Sequence, residues 1–148
     1  MPLDNTIGAV LESKGKLICA VSPGTSVFDA LSIMAEQDIG AVLVMDGDRL
    51  CGVLSERDYA RKVILSGKTS RDTQVEEIMS EPGVVTCATT VDECMREMTS
   101  RRVRHMPVLE DRRVLGVVSI GDLVNWVITS QERTISDLHA YVAGSYPG

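Results

Sequence analysis

The strongest constraint on this chain is a repetition. The stretch "GVLSERDYARKV" at 52 to 63 returns sixty-four positions later as "GVVSIGDLVNWV" at 116 to 127. Setting 21–63 against 85–127 needs no gap and leaves eleven identical pairs, among them Val44/Val108, Gly52/Gly116, Ser55/Ser119 and Asp58/Asp122. A repeat this long is a structural unit written twice, and in 148 residues two such units share one fold instead of standing as separate domains.

Each copy carries the same order of signals. A short apolar strand ("LICAV"; "GVVTC") leads to a helix start, where Thr25 or Ser26, and Thr89 or Thr90, can cap the free amides. Val27, Ala30, Leu31 and Met34, matched by Val91, Cys94, Met95 and Met98, fall at i, i+3, i+4 and i+7 and make one apolar stripe per helix. Two apolar runs around a polar turn follow ("AVLVMDGDRLCGVL"; "HMPVLEDRRVLGVV"), which is a hairpin signature. A second helix is expected from Ser55 and from Ser119. The fold class is therefore α/β of the α+β kind, built from tandem β-α-β-β-α motifs. The expected layout is 1–66 for the first motif with its N-terminal segment, 67–78 for a linker and short helix ended by Pro82 and Gly83, 79–130 for the second motif, and 131–148 for a separate amphipathic tail helix with Gly144 as its cap.

Charge and composition narrow the partners. A net charge of −6 opposes binding to phosphate backbones, which calls for a clustered basic excess. The apolar run "AVLVM" is far shorter than the roughly 20 residues of a membrane span, and the N-terminus lacks a basic signal region, so the chain reads as a cytoplasmic protein, with an organelle matrix as the other setting. Cys19, Cys51, Cys87 and Cys94 show no metal-ligand spacing and read as buried, reduced thiols; no metal is expected. With only His105 and His139 available, no nucleophilic triad or metal pair emerges, and the chain is not expected to be an enzyme.

The doubled unit with Gly-Val-x-Ser-x-x-Asp resembles a pair of CBS motifs, the regulatory module of the cystathionine β-synthase type. "RRVRHMPVL" and "EIMS" add to the likeness, which covers about residues 5 to 130. It implies two motifs about a pseudo-two-fold axis, assembly into a homodimer through helical faces, and clefts that take adenosine compounds: AMP, ADP, ATP, NAD-type dinucleotides or S-adenosylmethionine. It also implies that Asp58 and Asp122 receive ribose hydroxyls and that Ser55 and Ser119 help hold ribose or phosphate. Independently, a helix start offers unpartnered amides and the positive end of the dipole to a phosphate, and a carboxylate on its first turn suits a vicinal diol. The same Ser and Asp can equally cap and complement their own helix with no ligand.

The clefts are expected to differ. Arg104 and His105, with Met106 and Pro107, precede the second hairpin, where the first has Gly40 and Ala41; the first copy instead carries Arg57 after Ser55. The Asp122 cleft, with Arg104 and His105, is thus the better candidate for a phosphorylated ligand, and Glu56 weakens anion binding in the other. The resemblance further implies that the first strands, with Lys16, Ile18 and Cys19 in one copy and Val84, Val85 and Thr86 in the other, supply contacts to the base. With 3% aromatic residues, that base would lie between aliphatic side chains. The functional expectation is a nucleotide sensor acting on an unidentified partner protein. The alternative is a ligand-free scaffold acting through its dimer surface or tail helix, with a thioredoxin-like protein as one such partner. Met34, Met95 and Met98 suit a dimer surface as well as a core.

Overall fold

The structure is a computed structural model and describes residues 5–15 and 18–142. Its elements, in order, are α1 (Ile7–Lys14), β1 (Ala20–Val21), α2 (Val27–Gln37), β2 (Ala41–Asp46), β3 (Arg49–Ser55), α3 (Glu56–Tyr59) running into a π-helical turn (Ala60–Ile64), α4 (Val75–Ile78), α5 (Val91–Arg101), β4 (His105–Glu110), β5 (Arg113–Ser119) and α6 (Ile120–Val142). The hairpins β2–β3 and β4–β5 are antiparallel with matching registers, Ala41 facing Ser55 and His105 facing Ser119. Each has a register shift at the same place, after Val44 and after Val108.

The repeat shows in the caps as well. Ser26 and Thr90 cap α2 and α5 by accepting from the amides of Asp29 and Glu93, both at 3.1 Å. Thr25 and Thr89 do not cap; they accept instead from Ser22 and Thr86 in the preceding turns. Both helices end on a left-handed residue at the same position, Asp38 and Arg102.

The first strands are unequal. In the first copy β1 pairs in parallel with β2, and the Leu43 amide donates to the Cys19 carbonyl at 3.0 Å. The second copy has Pro107 where the first has Leu43, and proline has no N–H to give. The expected strand "GVVTC" is accordingly reduced to a single bridge between Val85 and Val108.

Two apolar cores result, and each borrows a helix from beyond its own repeat. Val27, Ala30, Met34, Val42, Val44 and Leu54 of the first copy enclose Val75 and Ile78 of α4. Val85, Val91, Cys94, Met98, Met106 and Leu123 of the second enclose Ile7, Val10 and Leu11 of α1. The backbone joints agree: the Ile7 amide donates to Thr89 O (2.8 Å) and Val91 to Asn5 O (3.1 Å), while Val75 donates to Thr25 O and Val27 to Thr73 O (both 2.8 Å). The N-terminal helix grouped by sequence with the first motif thus packs in the core of the second. Gly8 makes that approach possible, since a Cβ there would sit 3.1 Å from Cys87 Cβ.

Other expectations change. α4 ends at Ile78, ahead of Pro82 and Gly83, because Ser80 leaves the helix to bridge Val53 of β3 through two backbone bonds of 3.0 and 2.9 Å. The linker buries Thr73, whose hydroxyl donates to Thr69 O. Helix α6 runs unbroken for 23 residues, so the second motif's last helix and the separate tail helix are one element, and Gly144 lies outside the described residues. Met34 and Met98 are buried in the first and second cores, which removes them from a dimer surface, and Met95 packs partly buried against the second core. Of the cysteines only Cys94 is buried, its thiol pushed up to about 11 by burial and then by Glu97.

Candidate functional site

Ser55 and Ser119 each end a hairpin and start a helix, and at both places the Ser–Asp pair is first of all a cap. Asp58 and Asp122 donate their amides to the hydroxyls of Ser55 and Ser119 at 3.1 Å. The carboxylates accept in return from the Ser55 and Ser119 amides at 3.0 and 2.8 Å. A further amide of each helix start is also taken: Glu56 donates to Gly40 O and Ile120 to Arg104 O. The helix starts therefore have fewer free amides for a phosphate than the sequence suggests.

Beyond the caps the two sites diverge. Asp58 is buried and its second oxygen is filled by the Ser80 hydroxyl at 2.7 Å and Lys62 Nζ at 3.2 Å. Its carboxylate is fully engaged within the protein. Asp122 is bound only through Oδ2, to the Ser119 amide and to Lys14 Nζ at 2.6 Å, and no described residue donates to its Oδ1. Burial pushes the Asp122 carboxyl up, but Lys14 and the Ser119 amide together hold it below the usual range.

Asp122 opens on a cavity of about 410 Å³ between the repeats. That volume is of the size that takes small organic ligands. From the second repeat come His105, Val117, Ser119 and Asp122; from the first, Cys19, Asp38, Ile39, Gly40, Ala41, Val42, Leu43 and Val53; and from the end of α1 and its cap, Lys14 and Gly15. Leu43 is buried yet belongs to neither core, because alternation along β2 sends Val42 and Val44 one way and Leu43 the other. The apolar part of the wall is thus aliphatic, as the scarcity of aromatic residues implied, and Lys14, Asp38, His105, Ser119 and Asp122 make up its polar part.

The structure brings together six of the residues singled out from sequence: Ser119, Asp122, His105, Cys19, Gly40 and Ala41. It combines Gly40 and Ala41 with the opposite repeat's Asp, whereas the sequence reading had kept each copy's residues together. Arg104, the counterpart of Gly40, does not line this cavity; it is exposed. Arg57 is committed elsewhere, its guanidinium donating to Arg102 O at 2.9 Å across the repeats. Val85 and Met106 lie in the second core, Pro107 is buried in β4, and Ile18, Val84 and Thr86 face solvent. Ser55 and Asp58 cap α3 away from the cavity, and Lys16 lies outside the described residues. Lys14 was missed, and only its place at the end of a helical pattern before Gly15 could have drawn attention to it.

His105 sits where Gly40 leaves room, 3.4 Å from where a Cβ would stand, with Glu56 Oε1 at the same distance. Burial lowers its pKa most, Lys14 and Arg104 add to that, and Asp122 and Glu56 oppose it.

A tandem pair of hairpin-and-helix units is what the resemblance implied, though it implied two clefts and kept the N-terminal helix with the first motif; the comparison of the sequence with known families decides the matter: the CBS domain model matches twice, at 9–65 and 75–129. The chain belongs to the CBS-domain family. It is 38% identical over 153 residues to the mitochondrial CBS domain-containing protein CBSX3 of Arabidopsis thaliana, covering 95% of this chain and 73% of that one. It is 30% identical over 125 residues to CBSCBSPB5 of the same plant, but spans only 23% of that longer protein. Among solved structures it superposes with TM-score 0.83 and 46% identity on a CBS-domain protein of Burkholderia ambifaria described as a signal-transduction protein, covering 85% of this chain and 96% of that one. The CBS pair thus occurs both nearly alone and inside larger chains. Among its described residues no helix is long and apolar enough to cross a membrane.

Proposed function

We propose that this CBS pair is a non-enzymatic regulatory module that binds an adenosine nucleotide in the cleft at Asp122 and thereby alters contact with a partner protein. The observation that carries the reading is the half-engaged Asp122: one of its carboxylate oxygens is held by Lys14 and the Ser119 amide, and the residue lines a 410 Å³ cavity. A ribose offers the two adjacent hydroxyls such a carboxylate can receive, and its base fits the space beside Leu43, Val53 and Val117 by apolar burial. Since Asp58 is engaged on both oxygens, the module binds one nucleotide per chain at this cleft. Ligand chemistry includes AMP, ADP, ATP, NAD-type dinucleotides and S-adenosylmethionine, which share the adenosine moiety. A bacterial cytoplasm or an organelle matrix is the setting in this reading, and the mitochondrial relative from a plant and the bacterial ones support it.

The test is thermal unfolding of the wild type and Asp122→Ala with each of those compounds. A ligand binding only the folded state at a hundred times its dissociation constant adds about 2.7 kcal/mol. A rise in Tm with at least one adenosine compound, absent from Asp122→Ala, is expected; no rise with any of them overturns the reading.

The face of α6 bearing exposed Val124, Ile128, Ile135 and Leu138 favours a second copy as the protein's assembly partner. These positions fall on one side of the helix. Light scattering of the wild type against Ile128→Asp, in which a dimer is expected to become a monomer, tests this.

A further inference from the structure

The cleft carries an occupant of its own. Lys14, the last residue of α1, donates to Asp122 Oδ2 at 2.6 Å and to the Val117 carbonyl at 2.7 Å. The repeat does not account for this pair. In the first copy Asp58 draws its cation from Lys62, four residues along. The corresponding position in the second copy is Trp126, so Asp122 has no cation four residues along its own helix. Its cation comes instead from α1, which at eight residues is one turn longer than its counterpart α4 at four. That extra turn carries Lys14 to the cleft, and Gly15 follows it with φ 97°, a left-handed conformation that ends the helix there.

Lys14 therefore stands where a ribose would have to bind. A neutral diol that displaced it would gain the carboxylate but leave the ammonium without its charged partner. A phosphorylated ligand supplies a replacement partner of the same sign, with charge-assisted bonds of its own. The cleft needs such a donor, because two of the first three amides of α6 are spent on Arg104 O and Ser119 Oγ, and burial holds His105 toward its neutral form.

We infer that Lys14 is a specificity-determining residue that occupies Asp122 in the empty cleft and moves to the phosphate of a bound nucleotide, so that the site prefers phosphorylated adenosine compounds to adenosine. This rests on the nucleotide reading of the cleft. Discrimination arises as much from what the residue denies the uncharged ligand as from what it gives the charged one.

The experiment is calorimetric titration of the wild type, Lys14→Met and Lys14→Arg with adenosine, AMP and ATP. Met keeps the aliphatic stem of a side chain that is one-third exposed, and Arg keeps the charge. In Lys14→Met, adenosine is expected to bind more tightly and AMP more weakly, lowering the AMP-to-adenosine preference by about 10- to 100-fold, the range of a charge-assisted hydrogen bond. Lys14→Arg should retain most of the preference, which separates loss of the cation from loss of the fold. Binding of adenosine by Lys14→Met but not by the wild type also supports the role. An unchanged preference in Lys14→Met overturns it and leaves the nucleotide site standing. Failure of all three probes with every variant overturns both.

Discussion

At the scale of single residues, the two motif aspartates are chemically alike in sequence and have different work in the fold. Asp58 accepts from Ser55, Ser80 and Lys62, all inside the protein. Asp58→Asn leaves those donors facing an amide that cannot receive them all, and it should cost about 1–3 kcal/mol in denaturant unfolding while leaving nucleotide affinity at the Asp122 cleft unchanged. His105 gives a pH signature. Its folded-state pKa lies below 6.5, chiefly through burial, so protons bind the unfolded chain more readily than the folded one as pH falls through 6.5. Stability contributed by neutral His105 is therefore present above 6.5 and is lost below it, until the folded pKa is passed. Asp122, held below 3.8, adds a second loss only in stronger acid. The fall in Tm between pH 7.5 and 5.5 should be smaller in His105→Gln than in the wild type. The Ser-x-x-Asp pattern was legible in the sequence because caps are local. Which oxygen stays open was not, because Ser80 and Lys14 reach these carboxylates from 22 and 108 residues away.

At the scale of elements, α1 and α4 are short, and their stability comes from where they pack. Leu11 is 1% exposed, in the core formed by the second repeat. Leu11→Ala should cost about 2–5 kcal/mol, the usual range for a buried leucine. Its effect should appear first in the repeat distant in sequence: hydrogen exchange is expected to rise in β4 and β5 more than in β2 and β3. Helices α2 and α5 and both hairpins could be placed from periodicity and turn residues. The second copy's first strand could not, because the missing donor of Pro107 matters only once residue 107 lies beside that strand. Likewise the break expected between the second motif and the tail does not occur. Nothing in "ITSQERTI" stops a helix, and α6 continues through it.

At the scale of the whole molecule, the exchange of leading helices ties the repeats into one cooperative body. Neither 1–66 nor 79–130 contains a complete core: the first lacks Val75 and Ile78, the second Ile7, Val10 and Leu11. Each fragment expressed alone should show no cooperative unfolding, whereas the full chain should give a single transition with equal calorimetric and van't Hoff enthalpies. The sequence by itself determined the repeat, the α+β units, the family resemblance and the pair of Ser–Asp helix starts, because these depend on spacing within a few residues and on a constant offset. Only the tertiary structure decided that α1 serves the second repeat and α4 the first, that Gly40 and Ala41 share a cleft with Asp122, and that Lys14 stands in it. Those are contacts between segments whose separation in sequence carries no periodic signal. They exist because each half's apolar face is completed by a helix from the other side of the pseudo-two-fold arrangement.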